Sequence, residues 1–158
     1  MKLLKYALMV LFSVGMMSCG GGGSDDPVDE QKPTVTITSP NSPVNTGDII
    51  NVAFTAKDNI ELKSYRVQIR KPVGATGMTK SYNGNWSFDT FQDKADANGD
   101  AFQSIEGKTG PVEVKFPVAT DLGDNTHVGK GVYEIIVTVD DAAEKTNSVT
   151  VKKEFTLQ

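Results

Sequence analysis

Gly131-Val-Tyr-Glu-Ile-Ile-Val-Thr-Val-Asp140 decides the fold. Tyr133, Ile135, Val137 and Val139 fall on one side of an extended chain, and Glu134, Ile136, Thr138 and Asp140 on the other. A period of two marks a strand with one face turned to a core. The same alternation continues downstream in Val149, Val151, Phe155 and Leu157, and upstream in Val112, Val114 and Phe116. Further back, Trp86 shares a face with Phe88, and Tyr65, Val67 and Ile69 form another set. Ile50, Val52, Phe54 and Ala56 make a sixth, and Thr34-Val-Thr-Ile-Thr38 a seventh. No helical stripe competes. Turn-rich stretches separate these seven candidates: Pro40-Asn-Ser-Pro43, Gly107-Lys-Thr-Gly110 and Asn83-Gly84-Asn85, the last a hairpin signal. The expected fold is an all-β, two-sheet antiparallel sandwich of immunoglobulin-like type, with about seven strands.

Gly131-Val-Tyr-Glu-Ile135 resembles the start of strand F in such sandwiches, with Tyr133 in the tyrosine-corner position and Ile135 where an antibody domain has cysteine. There is no cysteine pair, and Trp86 follows the third strand instead of lying in it, so a bacterial variant of the fold is expected. The order Val35-Thr-Ile37, Ser39-Pro40, Ala56-Lys-Asp58, Tyr65-Arg-Val-Gln-Ile69, Gly131-Val-Tyr133 and Val137-Thr-Val-Asp140 resembles the lipoprotein family known as domain of unknown function 4625, over about residues 32–158. The resemblance implies an immunoglobulin-like fold and a cell-envelope location, with no established activity. Members of that family carry several histidines near the penultimate strand, whereas only His127 is present here, so no metal role is carried over.

Composition narrows the chemistry. The 158 residues suffice for one domain. A balance of 16 basic against 20 acidic side chains gives a net charge of −4, which offers no field to recruit nucleic acid. One Cys rules out an internal disulfide or a cysteine-built zinc site, and one His rules out a two-histidine metal centre.

Lys2 and Lys5 precede the apolar run Ala7–Met17. At 1.5 Å per residue this run covers roughly half of a ~30 Å hydrocarbon core, so it reads as a secretory signal. Met16-Met17-Ser18-Cys19-Gly20 resembles a bacterial lipobox, in which Cys19 is lipidated and becomes the first mature residue. More than one acyl chain gives stable attachment to a membrane. Gly20–Gly23 reads as a flexible tether, and the following Ser24-Asp25-Asp26 resembles the surface-export signal of Bacteroidota lipoproteins. Loss of residues 1–18 removes Lys2 and Lys5, which reduces the 16 basic side chains to 14 against 20 acidic ones, a net −6. The expected organisation is a signal peptide at 1–18, a lipidated cysteine and tether at 19–32, and the sandwich at 33–158. The expected location is the outer membrane, with the domain exposed at the cell surface.

Two acidic stretches raise calcium, a hard cation that takes roughly six to eight oxygen ligands. In the first, Asp58, Asn59, Asp140, Asp141 and Glu144 meet the incoming Asp29-Glu30, because the loops after the second and sixth candidate strands leave the sandwich at one pole. Asp and Asn also serve turns for backbone reasons, so a structural reading stands beside the metal one. In the second, Asp93-Lys-Ala-Asp96-Ala-Asn98-Gly99-Asp100, no register satisfies the calcium-loop pattern, and a solvated loop is expected.

His127 sits in the loop-like run Gly123-Asp-Asn-Thr-His-Val-Gly129. No G-x-S-x-G, Walker loop or dinucleotide fingerprint accompanies it, and the chain is expected not to be an enzyme. Aromatic residues concentrate between positions 82 and 102. Trp86 and Phe88 read as core, whereas Tyr82, Phe91 and Phe102 read as surface rings for a glycan or protein partner. The expected function is a lipid-anchored binding or spacer module without nucleic-acid partners. Its alternatives are a calcium-stabilised envelope domain and an accessory glycan-binding lipoprotein of a nutrient-uptake system.

Overall fold

Each run of alternating residues becomes a strand in the computed structural model, which describes residues 29–73, 83–143 and 146–158. In chain order the elements are β1 (Thr34–Ser39), β2 (Ile49–Lys57), β3 (Leu62–Arg70), β4 (Asn83–Gly84), β5 (Phe88–Asp89), α1 (Thr90–Asp93), β6 (Thr109–Pro117), β7 (His127–Val128), β8 (Gly131–Asp141) and β9 (Ser148–Leu157). Two antiparallel sheets result, one ordered β1-β2-β6 and the other β5-β3-β8-β9.

The core lies between these sheets. Val52, Val67, Val114, Tyr133, Ile135, Val137 and Val139 are wholly buried, as the period of two requires. Phe116 carries the aromatic centre: Phe88 stacks on it at 3.6 Å between ring centroids, and Trp86 lies 5.9 Å away. The buried Tyr133 hydroxyl donates to the Gly129 carbonyl at 2.6 Å, so the ring's polar end is satisfied inside the core.

The expected seven strands are all present, as β1, β2, β3, β5, β6, β8 and β9, but the count among the described residues is nine. The two extra strands correct the reading of Asn83-Gly84 as a hairpin turn: these residues form β4, which pairs in parallel with β7. The glycine serves close packing. A Cβ at Gly84 would come within 2.4 Å of Leu122 Cδ1, and the Gly84 carbonyl accepts from Gly129 N at 2.9 Å.

One helical turn, α1, stands beside β3. Asp89 caps it by accepting from Phe91 N at 3.1 Å, while Asp93 accepts from Asp89 N at 2.8 Å. No helix among the described residues is long and apolar enough to cross a membrane.

Candidate functional site

The pole at which β2 and β8 end gathers three carboxylates from three separate stretches of chain. Asp29 precedes β1, Asp58 follows β2, and Asp141 closes β8. One oxygen of each lies within 4.8 Å of the others. Local backbone geometry positions them. Asp58 Oδ1 accepts from Ile60 N and Glu61 N, both at 2.9 Å, which closes the turn into β3. Asp141 is fully buried and accepts from Asn147 N and Asn147 Nδ2, each at 2.8 Å, and from Ala143 N at 3.2 Å. Burial pushes the Asp141 carboxyl up, but the Asn147 and Ala143 donors and the charge of Lys63 together hold it below the usual carboxylate range. Asp29 Oδ1 takes Gln31 N at 3.0 Å and Asn59 Nδ2 at 3.1 Å. Asn147 Nδ2 ties the group together by also donating to the Asp29 carbonyl at 3.0 Å.

Two oxygens in this cluster are left over. Asp29 Oδ2 and Asp58 Oδ2 are buried and have no hydrogen-bond partner. Among the described residues no lysine or arginine forms a salt bridge with any of the three carboxylates. Buried carboxylate oxygens without donors are costly, and an all-oxygen set with several carboxylates is the kind that fits calcium.

Asp58, Asp141 and the incoming Asp29 therefore meet as expected, whereas Glu30 is exposed and outside the group. Asp140 is outside it too: one residue earlier on β8, it points to the other face, where it accepts from the Ser64 and Ser148 hydroxyls. Asn59 enters as a hydrogen-bond donor to Asp29 and not as an oxygen ligand. Glu144 lies outside the described residues, as do Cys19 and Tyr82. Asn147, which joins the Asp141 carboxylate to the Asp29 main-chain carbonyl, was missed, because nothing in its local sequence separates it from any other loop asparagine.

The second acidic stretch is closed on itself. Asp96 Oδ1 accepts from Asn98 N at 2.8 Å and Asp100 N at 2.9 Å. Those donors, Asp100 first, hold the Asp96 carboxyl below its ordinary range. His127 stands in β7, not in a loop; it is exposed and paired with Asp121.

Phe91 and Phe102 come together at one groove of about 260 Å³, with Lys63, Tyr65, Gln103 and Ser104 also in its lining. Phe91 is 56% exposed. Phe102 is half-buried, its ring meeting the edge of Phe88 at 5.8 Å.

No protein-family model matches the chain, and no curated protein matches it. Among solved structures it is similar to the Pseudomonas fluorescens alkylpurine DNA glycosylase AlkC bound to DNA containing an abasic-site analogue. That likeness has 15% identity and a TM-score of 0.47, and covers 80% of this chain and 30% of the other. It is also similar to Spo0M, a sporulation control protein from Bacillus subtilis, at 13% identity and a TM-score of 0.40, covering 80% of this chain and 49% of the other. The chain thus spans less than half of either structure. The first similarity corrects the expectation that this chain is not an enzyme, since the similar structure is an enzyme's. At that TM-score no glycosylase chemistry is carried over.

Proposed function

We propose that this protein is a lipid-anchored domain of the bacterial outer membrane, exposed at the cell surface, whose anchor-side pole is braced by a calcium ion. Its body is an immunoglobulin-like sandwich. Sheet orders β1-β2-β6 and β5-β3-β8-β9 support that fold, because β1-β2-β6 corresponds to the A-B-E strands of such domains and β3-β8-β9 to C-F-G, with β5 added at the edge beside C. The Tyr133–Gly129 hydrogen bond supports it too, as the tyrosine corner of such a domain. Cys19 at the close of the apolar run and the Gly20–Asp26 tether support the anchor and the outward address.

The observation that carries the reading is the pair of buried, unpartnered oxygens on Asp29 and Asp58 beside the buried Asp141. Asp29, Asp58 and Asp141 would hold the ion, which supplies positive charge to a crowded set of carboxylates. Asp29 belongs to the segment leading in from Cys19, whereas Asp58 directly follows a strand of one sheet and Asp141 ends a strand of the other. An ion there ties the tether to both sheets, which suits a module that holds a binding surface at a fixed attitude to the membrane. Thermal melting of the purified chain in calcium and in chelator tests the brace. A rise of several degrees with calcium is expected, and identical melts would overturn it. Cys19→Ser tests the anchor: the variant should leave the membrane fraction, and unchanged fractionation would refute lipidation.

A further inference from the structure

The groove beside α1 has a composition that the calcium pole does not account for. Three rings face it, each held by a different part of the fold. Phe91 rides on α1, with the Arg66 guanidinium over its ring at 4.9 Å. Arg66 is in turn fixed by Asp89, which accepts from Arg66 Nε at 2.9 Å and also meets Nη2. Tyr65 donates its hydroxyl to the Gln103 carbonyl at 2.7 Å and sets its ring edgewise on Phe54 at 5.3 Å. Phe102 is braced on Phe88. An exposed phenyl clamped by a cation on a capped turn is a surface prepared before any ligand arrives, which lowers the ordering cost of binding.

Lys63, Gln103 and Ser104 also line the groove, and Gln103 Nε2 donates to the Pro111 carbonyl at 3.5 Å. Lys63 and Ser104 side chains are exposed and make no hydrogen bond among the described residues. Apolar faces bordered by unspent donors and acceptors match a pyranose ring, which has a C–H face and a rim of hydroxyls. A volume of about 260 Å³ is below the roughly 300–1,000 Å³ of sites for drug-sized ligands, and suits a single ring. An anionic ligand would meet only one uncommitted cation, Lys63, because Arg66 is already engaged, and the chain carries −4 overall, so a neutral ligand fits better. A protein partner needs about 800 Å² on each side, and the other large exposed apolar residues, such as Ile49 and Val132, are not in the groove lining.

We infer that this groove binds one sugar ring of a neutral polysaccharide, stacked on Phe91 between the walls made by Tyr65 and Phe102. The ligand class follows from the groove and is independent of the calcium pole.

The test is affinity electrophoresis and titration calorimetry of the full chain in detergent against amylopectin, laminarin, mannan, xylan, galactan and hydroxyethylcellulose. Binding to at least one is expected. Phe91→Ala should weaken it about tenfold while the melting temperature holds, and Phe91→Trp should retain it. Phe102→Ala should also weaken binding, but its ring supports Phe88, so Phe91 is the deciding position. No binding across the panel would overturn the inference, as would binding that Phe91→Ala leaves unchanged.

Discussion

Asp58→Asn should change sign with calcium. The substitution keeps Oδ1 as acceptor for Ile60 N and Glu61 N, so the turn survives, and it removes one like charge from the cluster. Unit charges on ligand oxygens 4.8 Å apart, the upper bound here, repel by about 3.5 kcal/mol per pair at an effective dielectric constant near 20. Solvent beside this half-buried pole lowers that to about 0.5–1 kcal/mol for each of the two pairs Asp58 makes. In chelator the variant should therefore be more stable than the native chain by about 1–2 kcal/mol, or roughly 4–8 °C. In calcium at about 100 times its dissociation constant the native chain gains about 2.7 kcal/mol, and the variant, short of one carboxylate, gains much less. The two melting curves exchange order. Differential scanning calorimetry of both chains in chelator and in calcium measures this directly. A variant less stable in chelator, with an undiminished calcium response, would refute the reasoning.

Phe116→Ala should cost about 3–5 kcal/mol in urea unfolding, since it removes the ring on which Phe88 and Trp86 stack; a loss under ~1 kcal/mol would contradict the packing. Tyr133→Phe should cost about 1–2 kcal/mol, because the Gly129 carbonyl loses its buried donor, and an unchanged urea midpoint would count against that bond. Asp89 is held below the carboxylate range, first by Arg66 and then by Phe91 N and Gln68, against the opposing effect of burial. A depressed folded pKa contributes stability above the unfolded value of about 4 that is lost as pH falls through the folded value. Acid titration of the melting temperature should show that loss below about pH 4 in the native chain and a smaller one in Asp89→Asn. Tyr65 is pushed up to about 12 by burial, so its contribution holds below pH ~10 and is lost as pH rises through about 12, readable as late phenolate absorbance that Tyr65→Phe removes.

Six of the seven principal strands were legible because each turns one face to the core, and burial writes a period of two into the sequence. Two-residue strands carry no period of their own: β5 was legible only because Trp86, just ahead of it, shares the parity of Phe88, whereas β4 and β7 were invisible, and Asn83-Gly84 carried a turn signal that close packing against Leu122 accounts for. The one-turn α1 is too short for a helical stripe. At the acidic pole the composition was readable, but Asp58, Asn59, Asp140 and Asp141 were grouped there without parity being applied to them. Asp58 has the parity of the buried Phe54 and Ala56, and Asp141 that of Tyr133 through Val139, whereas Asn59 and Asp140 have the opposite parity. Alternation alone separates the two inward carboxylates from their neighbours. Asn147 and the Arg66–Asp89 clamp were beyond reach, because partners paired across strands and loops leave no mark at fixed spacing. Tyr65 read as core by alternation with Val67 and Ile69, yet its hydroxyl extends to Gln103 and its ring walls the groove.

Calcium titration calorimetry of the native chain beside Asp29→Asn tests the central claim most directly. Asp29 lies outside both sheets, so its neutralisation leaves the strands and their core intact. The account predicts one calcium ion bound per folded chain, with affinity about tenfold weaker in the variant. No binding by the native chain at about 1 mM calcium, or equal binding by both chains, would contradict it.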